Sequence, residues 1–426
     1  MRLTRQLEQA MRGSVATPVI IKTKREFLPE LRNRLLFDFK LAGLSIPCFS
    51  MFATVLPTEI IDEVKQLNFV ETIYLDREVR IPEIRGAAIT FEPIKRLMVR
   101  LAEVRARKAI TVRKPEWVPT SESRKLLEAD KAGVEGYEGL GVKIAVVDTD
   151  SSPRYQSHVQ LRGRVTGHTV IEEVSDKNGH GGHCATTALG GEFINRWLGL
   201  KAWGVAPKTT GLGVKVLRGA VGMGNTSDVI KGVEYASQWG AQVINLSLGG
   251  PPTKDPAEDP MFPVFQEIKD KVITCAAIGN EGPDASTTSA PGSLPNVLAV
   301  GAIDINGAIA EFSSRGPTPD NRVKPDVVAP GVNIWSGITV ETYLDYVSDY
   351  LGNGFTAISG TSMAAPHVSG LMALAIELFK KEFPEVPLTV DLVLKICEMY
   401  GETKNNERGY GQVKFSWFRR YVEEHK

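Results

Sequence analysis

One serine in the sequence stands where a turn of small residues runs into an apolar helix. Ser362 lies in the stretch Gly360–Gly370, which reads GTSMAAPHVSG, and the predicted helix continues to Lys380. Unpaired backbone N–H groups at a helix N-terminus favour negative charge that develops beside such a hydroxyl. Serine is also a common N-cap of buried helices. This stretch alone therefore leaves two interpretations open, a nucleophile and a structural cap.

Three more polar residues lie in contexts that suit chemistry. Asp148 follows the apolar run KIAVV, and Asn280 follows another apolar run in AAIGNEG. His180 stands in the glycine-rich segment NGHGGHC, where an imidazole that titrates near neutral pH could act as a general base. The amide of Asn280 could donate to an oxyanion, although Asp148 and Asn280 are also common turn residues.

Metal binding is the alternative to a general-base role for the histidines. His180 and His183 are three residues apart, but a zinc site needs further ligands, and no Cys-x-x-Cys pair supplies them. We therefore assign no metal ligand.

The elements that position these residues alternate between strands and helices from about residue 117 to the end. Strands are predicted at 143–147, 213–217, 242–246, 272–277 and 297–300, and helices at 123–132, 182–189, 226–239, 260–270 and 363–380. Near-continuous apolar strands between helices predict a parallel sheet covered on both faces. Ligands of such sheets lie beyond the carboxyl ends of the strands, where Asp148 and Asn280 fall.

Residues 1–80 predict a separate βαββαβ unit of the ferredoxin-like type. Its predicted elements are a strand at 19–21, a helix at 25–36, hairpin arms at 36–39 and 50–56, a helix at 57–67 and a strand at 69–75. Residues 81–116 read as a basic linker that would be easy to cut. Its charges fit a solvated helix face better than a nucleic-acid surface.

The composition excludes several classes of protein. The chain has 50 Lys and Arg against 50 Asp and Glu, so no net charge favours nucleic acid or an anionic membrane. No apolar run approaches the length of a membrane span. The four cysteines lie far apart, which argues against a disulfide framework, and the N-terminus lacks a secretory signal. We expect a cytoplasmic location, with a non-standard export route left open.

The chain order of the four candidate residues matches a known order for an Asp-His-Ser triad, that of subtilisin. Residues 117–426 resemble the subtilisin-like serine proteases over essentially their whole length. The stretches that carry the resemblance are VVDT (146–149), HGGH (180–183), INLSLGG (244–250), GNEG (279–282) and GTSMAAP (360–366), with support from FSSRGP (312–317), KPDVVAPG (324–331) and GYG (409–411). The resemblance implies an α/β, three-layer subtilisin-like fold with a central, mostly parallel sheet, preceded by a small α+β ferredoxin-like prodomain.

The resemblance also implies a serine endopeptidase that acts on polypeptide substrates through an acyl-enzyme. Ser362 would attack the scissile carbonyl, His180 would transfer the proton, and Asp148 would orient His180. Asn280 and the backbone N–H of Ser362 would hold the oxyanion. The implied substrate-binding residues are Gly222, Met223, Gly224, Ser247, Leu248 and Gly249 along the substrate backbone, with Ile278, Gly279 and Ser289 at the side-chain pocket. Walls that include Leu248, Ile278 and Ala290 favour apolar or medium-sized side chains.

Residues 1–80 then look like the inhibitory propeptide of this family, an intramolecular inhibitor and folding aid. We expect a zymogen that is cut between Asp76 and Trp117. No cofactor is required. A structural calcium ion is left open, but Gln160 stands where the usual calcium-binding aspartate would be expected.

The sequence departs from the family pattern at two positions beside the catalytic groups. Asp150 replaces a common glycine, and Gly182 replaces the usual Thr or Ser between the two histidines. A carboxylate at Asp150 could raise carboxyl pKa values or bind a cation. The alternative function is a catalytically inactive binding module, against which the four intact catalytic groups argue.

Overall fold

The computed structural model describes residues 2–12, 14, 16–37, 41–82, 117–196, 199–347 and 354–426. Nearly all of the predicted basic linker, 81–116, lies outside these described residues. The described chain forms a small N-terminal unit and a larger unit that begins at residue 117.

The N-terminal unit packs its helices on one face of a five-stranded sheet of order β1-β5-β2-β4-β3. In chain order its elements are β1 (Arg2–Leu3), α1 (Arg5–Met11), β2 (Ala16–Thr23), α2 (Leu28–Phe37), β3 (Gly43–Ile46), β4 (Met51–Pro57), α3 (Thr58–Lys65), β5 (Val70–Leu75) and β6 (Glu78–Arg80). The order β2-α2-β3-β4-α3-β5 is the βαββαβ order of the ferredoxin-like unit predicted from the sequence.

The first arm of the predicted hairpin, at 36–39, was wrong. The arm that pairs with β4 is β3, from Gly43 opposite Thr54 to Ile46 opposite Met51. Residues 36–37 instead end helix α2, because the apolar face that buries Leu31 and Leu35 continues the helical period to that point. Residues 38–40 lie outside the described part of the chain.

The strands of the larger unit are β7 (Val118–Pro119), β8 (Lys143–Asp148), β9 (Val165–Thr169), β10 (Phe193–Asn195), β11 (Leu200–Ala202), β12 (Thr210–Lys215), β13 (Met223–Asn225), β14 (Val243–Leu246), β15 (Ile273–Ala277), β16 (Leu298–Ile303), β17 (Val327–Pro330), β18 (Ile334–Gly337) and β19 (Phe355–Ile358). Seven of them form the central sheet, in the order β17-β16-β15-β14-β8-β12-β9, and all neighbouring pairs in this sheet are parallel. The predicted fold class, with its central parallel sheet, is confirmed.

Helices cover both faces of this sheet. They are α4 (Thr120–Ser123), α5 (Ala129–Val134), α6 (Pro153–Ser157), α7 (His180–Leu189), α8 (Thr226–Gln238), α9 (Met261–Ile268), α10 (Tyr343–Val347), α11 (Thr361–Glu382), α12 (Val390–Tyr400) and α13 (Phe415–His425). Along β8, Ile144 and Val146 pack into the core with α7 and α11, while Ala145 and Val147 pack into the core with α8 and α9. Every residue of β8 from Ile144 onward is buried, which explains its continuous apolar sequence.

Helix α11 is the most buried element of the larger unit. All of its residues from Thr361 to Phe379 are buried, and it contacts α7 and several strands of the sheet. By length and composition it is apolar enough to cross a membrane, but its apolar window is 100% buried inside the protein. We therefore describe it as a core helix.

The N-terminal unit docks on α8, α9 and the cleft of the larger unit. Strand β6 pairs antiparallel with β13, and the N-terminal sheet contributes Ile20, Met51 and Tyr74 to the apolar core formed with α8 and α9. The two units therefore share one continuous apolar core at this face.

A close approach of two segments fixes the residue type at position 182. Gly182 lies in the first turn of α7, and a Cβ added there would lie 2.7 Å from the backbone nitrogen of Thr339 and 2.9 Å from its Oγ1. Real Cβ atoms do not approach backbone so closely, so only glycine lets α7 pack against the segment after β18. The missing Thr or Ser at this position therefore has a steric reason.

We expect Gly182→Ser to lower the free energy of unfolding by about 1–3 kcal/mol, the usual range for overpacking a tight site. The measurement is thermal unfolding in a Ser362→Ala background, which prevents self-digestion. Gly133→Ser is the matched control, since a Cβ on Gly133 of α5 would meet nothing within 4 Å. Equal losses of stability in the two variants would contradict the steric explanation.

Candidate active site

Asp148 and His180 form a buried pair at the carboxyl end of the sheet. Asp148 is the last residue of β8, His180 is the first residue of α7, and both side chains are 0% exposed. The Nδ1–H of His180 donates to the carboxylate, with Nδ1 at 2.9 Å from Oδ1 and 3.0 Å from Oδ2. This tautomer leaves Nε2 as the proton acceptor.

The glycine-rich sequence around His180 places the ring. Gly179 has φ 96°, a conformation that glycine adopts without strain, and the Oδ1 of Asn178 accepts the His180 N–H at 3.0 Å. The Gly181 N–H donates to the hydroxyl of Thr149 at 2.9 Å, which ties the start of α7 to the end of β8. The local sequence thus holds the imidazole against the carboxylate.

Two opposing effects act on the pKa of His180. Burial disfavours the imidazolium and lowers the pKa, but the Asp148 carboxylate and the neighbouring Cys184 outweigh it, so the pKa is raised well above 6.5. Because the pKa of His180 is higher in the folded than in the unfolded protein, the charged His180–Asp148 pair stabilises the fold. This stabilisation is fully present at pH values below the unfolded-state pKa of His180, and it is lost as the pH rises through the folded-state pKa.

Ser362 is the second residue of α11 and is 1% exposed. Its hydroxyl donates to the backbone carbonyl of Ser247 at 3.2 Å. The carbonyl of Ser362 in turn accepts from the Ser247 hydroxyl at 2.9 Å and from the Cys184 thiol at 3.5 Å. The serine is therefore held between α7 and the segment that follows β14.

Two donor nitrogens, Nδ2 of Asn280 and the backbone nitrogen of Ser362, lie close to the same point beside Gly360. The Oδ1 of Asn280 accepts from both the N–H and the hydroxyl of Thr361 at 2.9 Å, which fixes the orientation of the amide. A Cβ added to Gly360 would lie 3.2 Å from the Nδ2 of Asn280 and 3.6 Å from the backbone nitrogen of Ser362. The two nitrogens are thus near enough to each other to contact one small group, which is compatible with the oxyanion role predicted for them.

The residues predicted to bind substrate lie along one cleft. Gly222 and strand β13 form one side, and Gly249, which follows the buried Ser247 and Leu248, forms the other. Both sides pair with the N-terminal unit, through Ile81 and Arg80 respectively. The cleft therefore holds an extended segment in this structure.

The predicted pocket residues lie next to this cleft. The Ser289 N–H donates to the Ile278 carbonyl at 2.8 Å, and Gly250 pairs with Ala290. Gly279 has φ 118°, and a Cβ there would lie 2.6 Å from Ser289 Oγ. Glu281 was predicted from the sequence only as part of the pocket wall, and its Oε2 accepts the backbone N–H of Asn280 at 2.9 Å, which helps to hold Asn280 in place.

Cys184 is a residue that sequence reasoning missed. Its Sγ lies 3.8 Å from His180 Nδ1, one helical turn along α7, and the i, i+4 spacing was the available signal. Burial raises the pKa of this thiol. Within the described residues, Asp148, His180 and Cys184 are the only His, Cys, Asp or Glu group close enough to hold a metal ion. His183 takes no part in it, since its Nε2–H donates to the Ile334 carbonyl at 2.9 Å.

The two departures from the family pattern share a neighbour. The Thr339 hydroxyl donates to the carboxylate of Asp150. The backbone nitrogen of Thr339 packs directly against the Cα of Gly182, leaving no room for a Cβ there. Asp150 also accepts the Ser152 N–H at 2.7 Å, and burial raises its pKa. Asp150 therefore ties the loop after β8 to the segment after β18, and a small residue at 182 permits that contact.

Gln160 carries an amide where a calcium-binding aspartate would carry a carboxylate. Its Nε2 donates to the Gly191 carbonyl at 2.8 Å, while its Oε1 is buried and has no hydrogen-bond partner among the described residues. An amide oxygen is a known but uncharged type of calcium ligand. Calcium at other positions stays a prediction.

Comparisons with known proteins agree with this geometry. The sequence model of the Subtilase family matches residues 139–411. Serine protease AprX of Bacillus subtilis (strain 168) is 36% identical over 264 residues, 56% of this chain and 58% of AprX. Subtilisin DY of Bacillus licheniformis is 34% identical over 259 residues, and Subtilisin Savinase of Lederbergia lenta is 37% identical over 257 residues, each match covering 60% of this chain and 83% of the relative.

The matched segment lies wholly within the larger unit. The chain spans less than two thirds of the length of AprX, although it covers most of the two subtilisins. These relatives give no support to the expected cytoplasmic location, which stays a prediction. Because the family match covers more than half of the chain, this protein belongs to the subtilase family of serine endopeptidases.

Proposed function

We propose that this protein hydrolyses peptide bonds of polypeptide substrates through an acyl-enzyme on Ser362. The observation that carries the proposal is the buried Asp148–His180 hydrogen bond of 2.9 Å beside a serine at a helix start. The converging N–H groups of Asn280 and Ser362 add a site for the oxyanion.

Each group has one role in the reaction. The Ser362 hydroxyl exchanges its hydrogen bond to Ser247 for one to the Nε2 of His180, and its oxygen attacks the scissile carbonyl as the proton moves to Nε2. Asp148 stabilises the imidazolium, and the two N–H donors hold the oxyanion. His180 then gives the proton to the leaving amine, and a water molecule repeats the sequence to release the acid.

We also propose that the N-terminal unit is an intramolecular inhibitor and that the full chain is a self-processing zymogen. Strand β6 occupies the edge of β13, and Arg80 pairs with Gly249, so a substrate strand cannot pair with either edge at the same time. Docking is strengthened by Arg77, 11% exposed, which forms an ion pair with the buried Asp259.

Asp76 provides a second polar anchor for the N-terminal unit. Its carboxylate accepts the N–H of Ser227 at 3.0 Å and the Ser227 hydroxyl at 2.6 Å, at the N-terminus of α8. A carboxylate at a helix N-terminus satisfies an unpaired donor and interacts favourably with the helix dipole.

We expect Ser362→Ala to abolish hydrolysis of a denatured protein substrate and labelling by a fluorophosphonate. Asn280→Ala should keep the label but lower turnover by about 10²–10³-fold, because one oxyanion donor is lost. Intact-mass measurement of the labelled protein and a peptide turnover assay are the readouts. A folded, processed protein without a Ser362 adduct would instead identify a binding module.

We expect the acidic limb of the pH–kcat/KM profile to lie above pH 6.5, since His180 must be neutral to accept the proton and its pKa is raised. Asp148→Asn removes the main cause of the raised pKa, so the limb should move to lower pH while turnover falls by about 10⁴-fold. Asp150→Asn is the matched control, because Asp150 does not contact His180, and its limb should stay in place. A limb that moves equally in both variants would contradict the assignment of Asp148.

We expect Asp76→Ala to weaken docking of the N-terminal unit by about 2- to 30-fold, the worth of one helix cap. The readout is the initial rate of fluorophosphonate labelling of the unprocessed chain. This rate rises with the fraction of molecules in which the N-terminal unit has left the cleft. Asp62→Ala removes an exposed carboxylate of α3 away from the cleft and serves as the control. Unchanged labelling in Asp76→Ala would argue that this contact does not hold the inhibitor.

A further inference from the structure

The last described residues of the N-terminal unit lie in the cleft in a defined register. The Arg80 N–H donates to the Gly249 carbonyl at 2.9 Å, and the Gly249 N–H donates back to the Arg80 carbonyl at 2.8 Å. On the opposite side of the segment, the Ile81 N–H donates to the Gly222 carbonyl at 3.0 Å. The segment is therefore bound from both sides, as the middle strand of three.

This register identifies the residue that lies beside the nucleophile. In an antiparallel pair, residues that exchange both hydrogen bonds recur at every second position. Extending this register by two residues beyond the Arg80–Gly249 pair assigns the buried Pro82 to the position opposite Ser247. The Ser247 carbonyl is also the group to which the Ser362 hydroxyl donates, so the register directs Pro82 toward the attacking oxygen.

Proline cannot complete the pairing at this position, because it has no backbone N–H. An ordinary residue at 82 would donate its amide hydrogen to the Ser247 carbonyl. With Pro82 in place, that carbonyl instead accepts the single hydrogen of the Ser362 hydroxyl, at 3.2 Å. A hydroxyl hydrogen used in this way is not directed to the Nε2 of His180, the acceptor that the attack requires.

We propose that Pro82 makes the N-terminal unit a slowly cut inhibitor: it binds in the register of a substrate but disfavours acylation at its own carbonyl. The inference rests on the proposed peptidase function. Cleavage here would form the Ser362 Oγ–C bond and break the C–N bond between Pro82 and Glu83. The proton would pass through His180 to the Glu83 amine, and water would release the acid and restore Ser362.

The test compares full-length wild type with Pro82→Ala. The alanine supplies the missing N–H, so we expect the Ser247 pairing to close and the Ser362 hydroxyl to turn to His180. Cleavage between residues 82 and 83 should then become at least about tenfold faster, about the effect of one hydrogen bond gained only in the reactive arrangement. Intact-mass spectrometry over time follows the fragment that ends at residue 82.

Two control variants separate faster chemistry from looser docking. Arg80→Pro removes the amide that donates to Gly249 but keeps Pro82, so it should raise fluorophosphonate labelling without a cut after residue 82. Pro57→Ala removes a proline at the start of α3, outside the cleft, and should match wild type. The double variant Pro82→Ala with Ser362→Ala should stay uncut, which assigns the new cut to this active site.

Two results would count against the proposal. Pro82→Ala that is cut after residue 82 no faster than wild type would overturn it. A Pro82→Ala protein that gains only labelling, as Arg80→Pro does, would also overturn it. If neither wild type nor Arg80→Pro is labelled at Ser362, the proposed peptidase function itself fails, which is a distinct outcome.

Discussion

The proposed active site depends on one buried contact between a strand end and a helix start, the hydrogen bond from His180 to Asp148. Both side chains are shielded from water, so each charged form is disfavoured unless the other group compensates. The backbone around them supplies the remaining compensation: the Thr149 N–H donates to Asp148, and Asn178 fixes the first turn of α7. A sheet with continuous buried strands is rigid enough to keep these partners in register.

The cleft follows from the same architecture, because it consists of segments that follow strands β12 and β14 at the carboxyl end of the sheet and offer their backbone edges for pairing. Exposed strand edges are templates for pairing with any extended chain. In this structure β6 occupies one edge, and Arg80 pairs with the other, so both edges of the cleft are paired with the N-terminal unit. The two polar anchors, Asp76 and Arg77, lie just before this segment and fix how far it reaches into the cleft.

The parts that could be predicted from sequence are those with local causes. Asp148 and Asn280 were found because buried strands end in turns, and His180 because glycine permits the tight start of α7. Strand β6 was missed because its three residues pair only with the other unit. The reasons for Asp150 and Gly182 were equally hidden, since Thr339 is 189 residues from Asp150 in the chain. Short sequence motifs do not predict contacts between residues that lie so far apart in the chain.

The burial of helix α11 from Thr361 to Phe379 has a consequence for how this protein can age. Ser362 lies in its first turn, and the helix is buried through Phe379, so no small local opening displaces the serine without exposing the centre of the core. Heat or denaturant should therefore displace Ser362 and unfold the protein in a single cooperative event. A population that is half inactivated would then consist of intact and unfolded molecules, rather than of uniformly weakened ones.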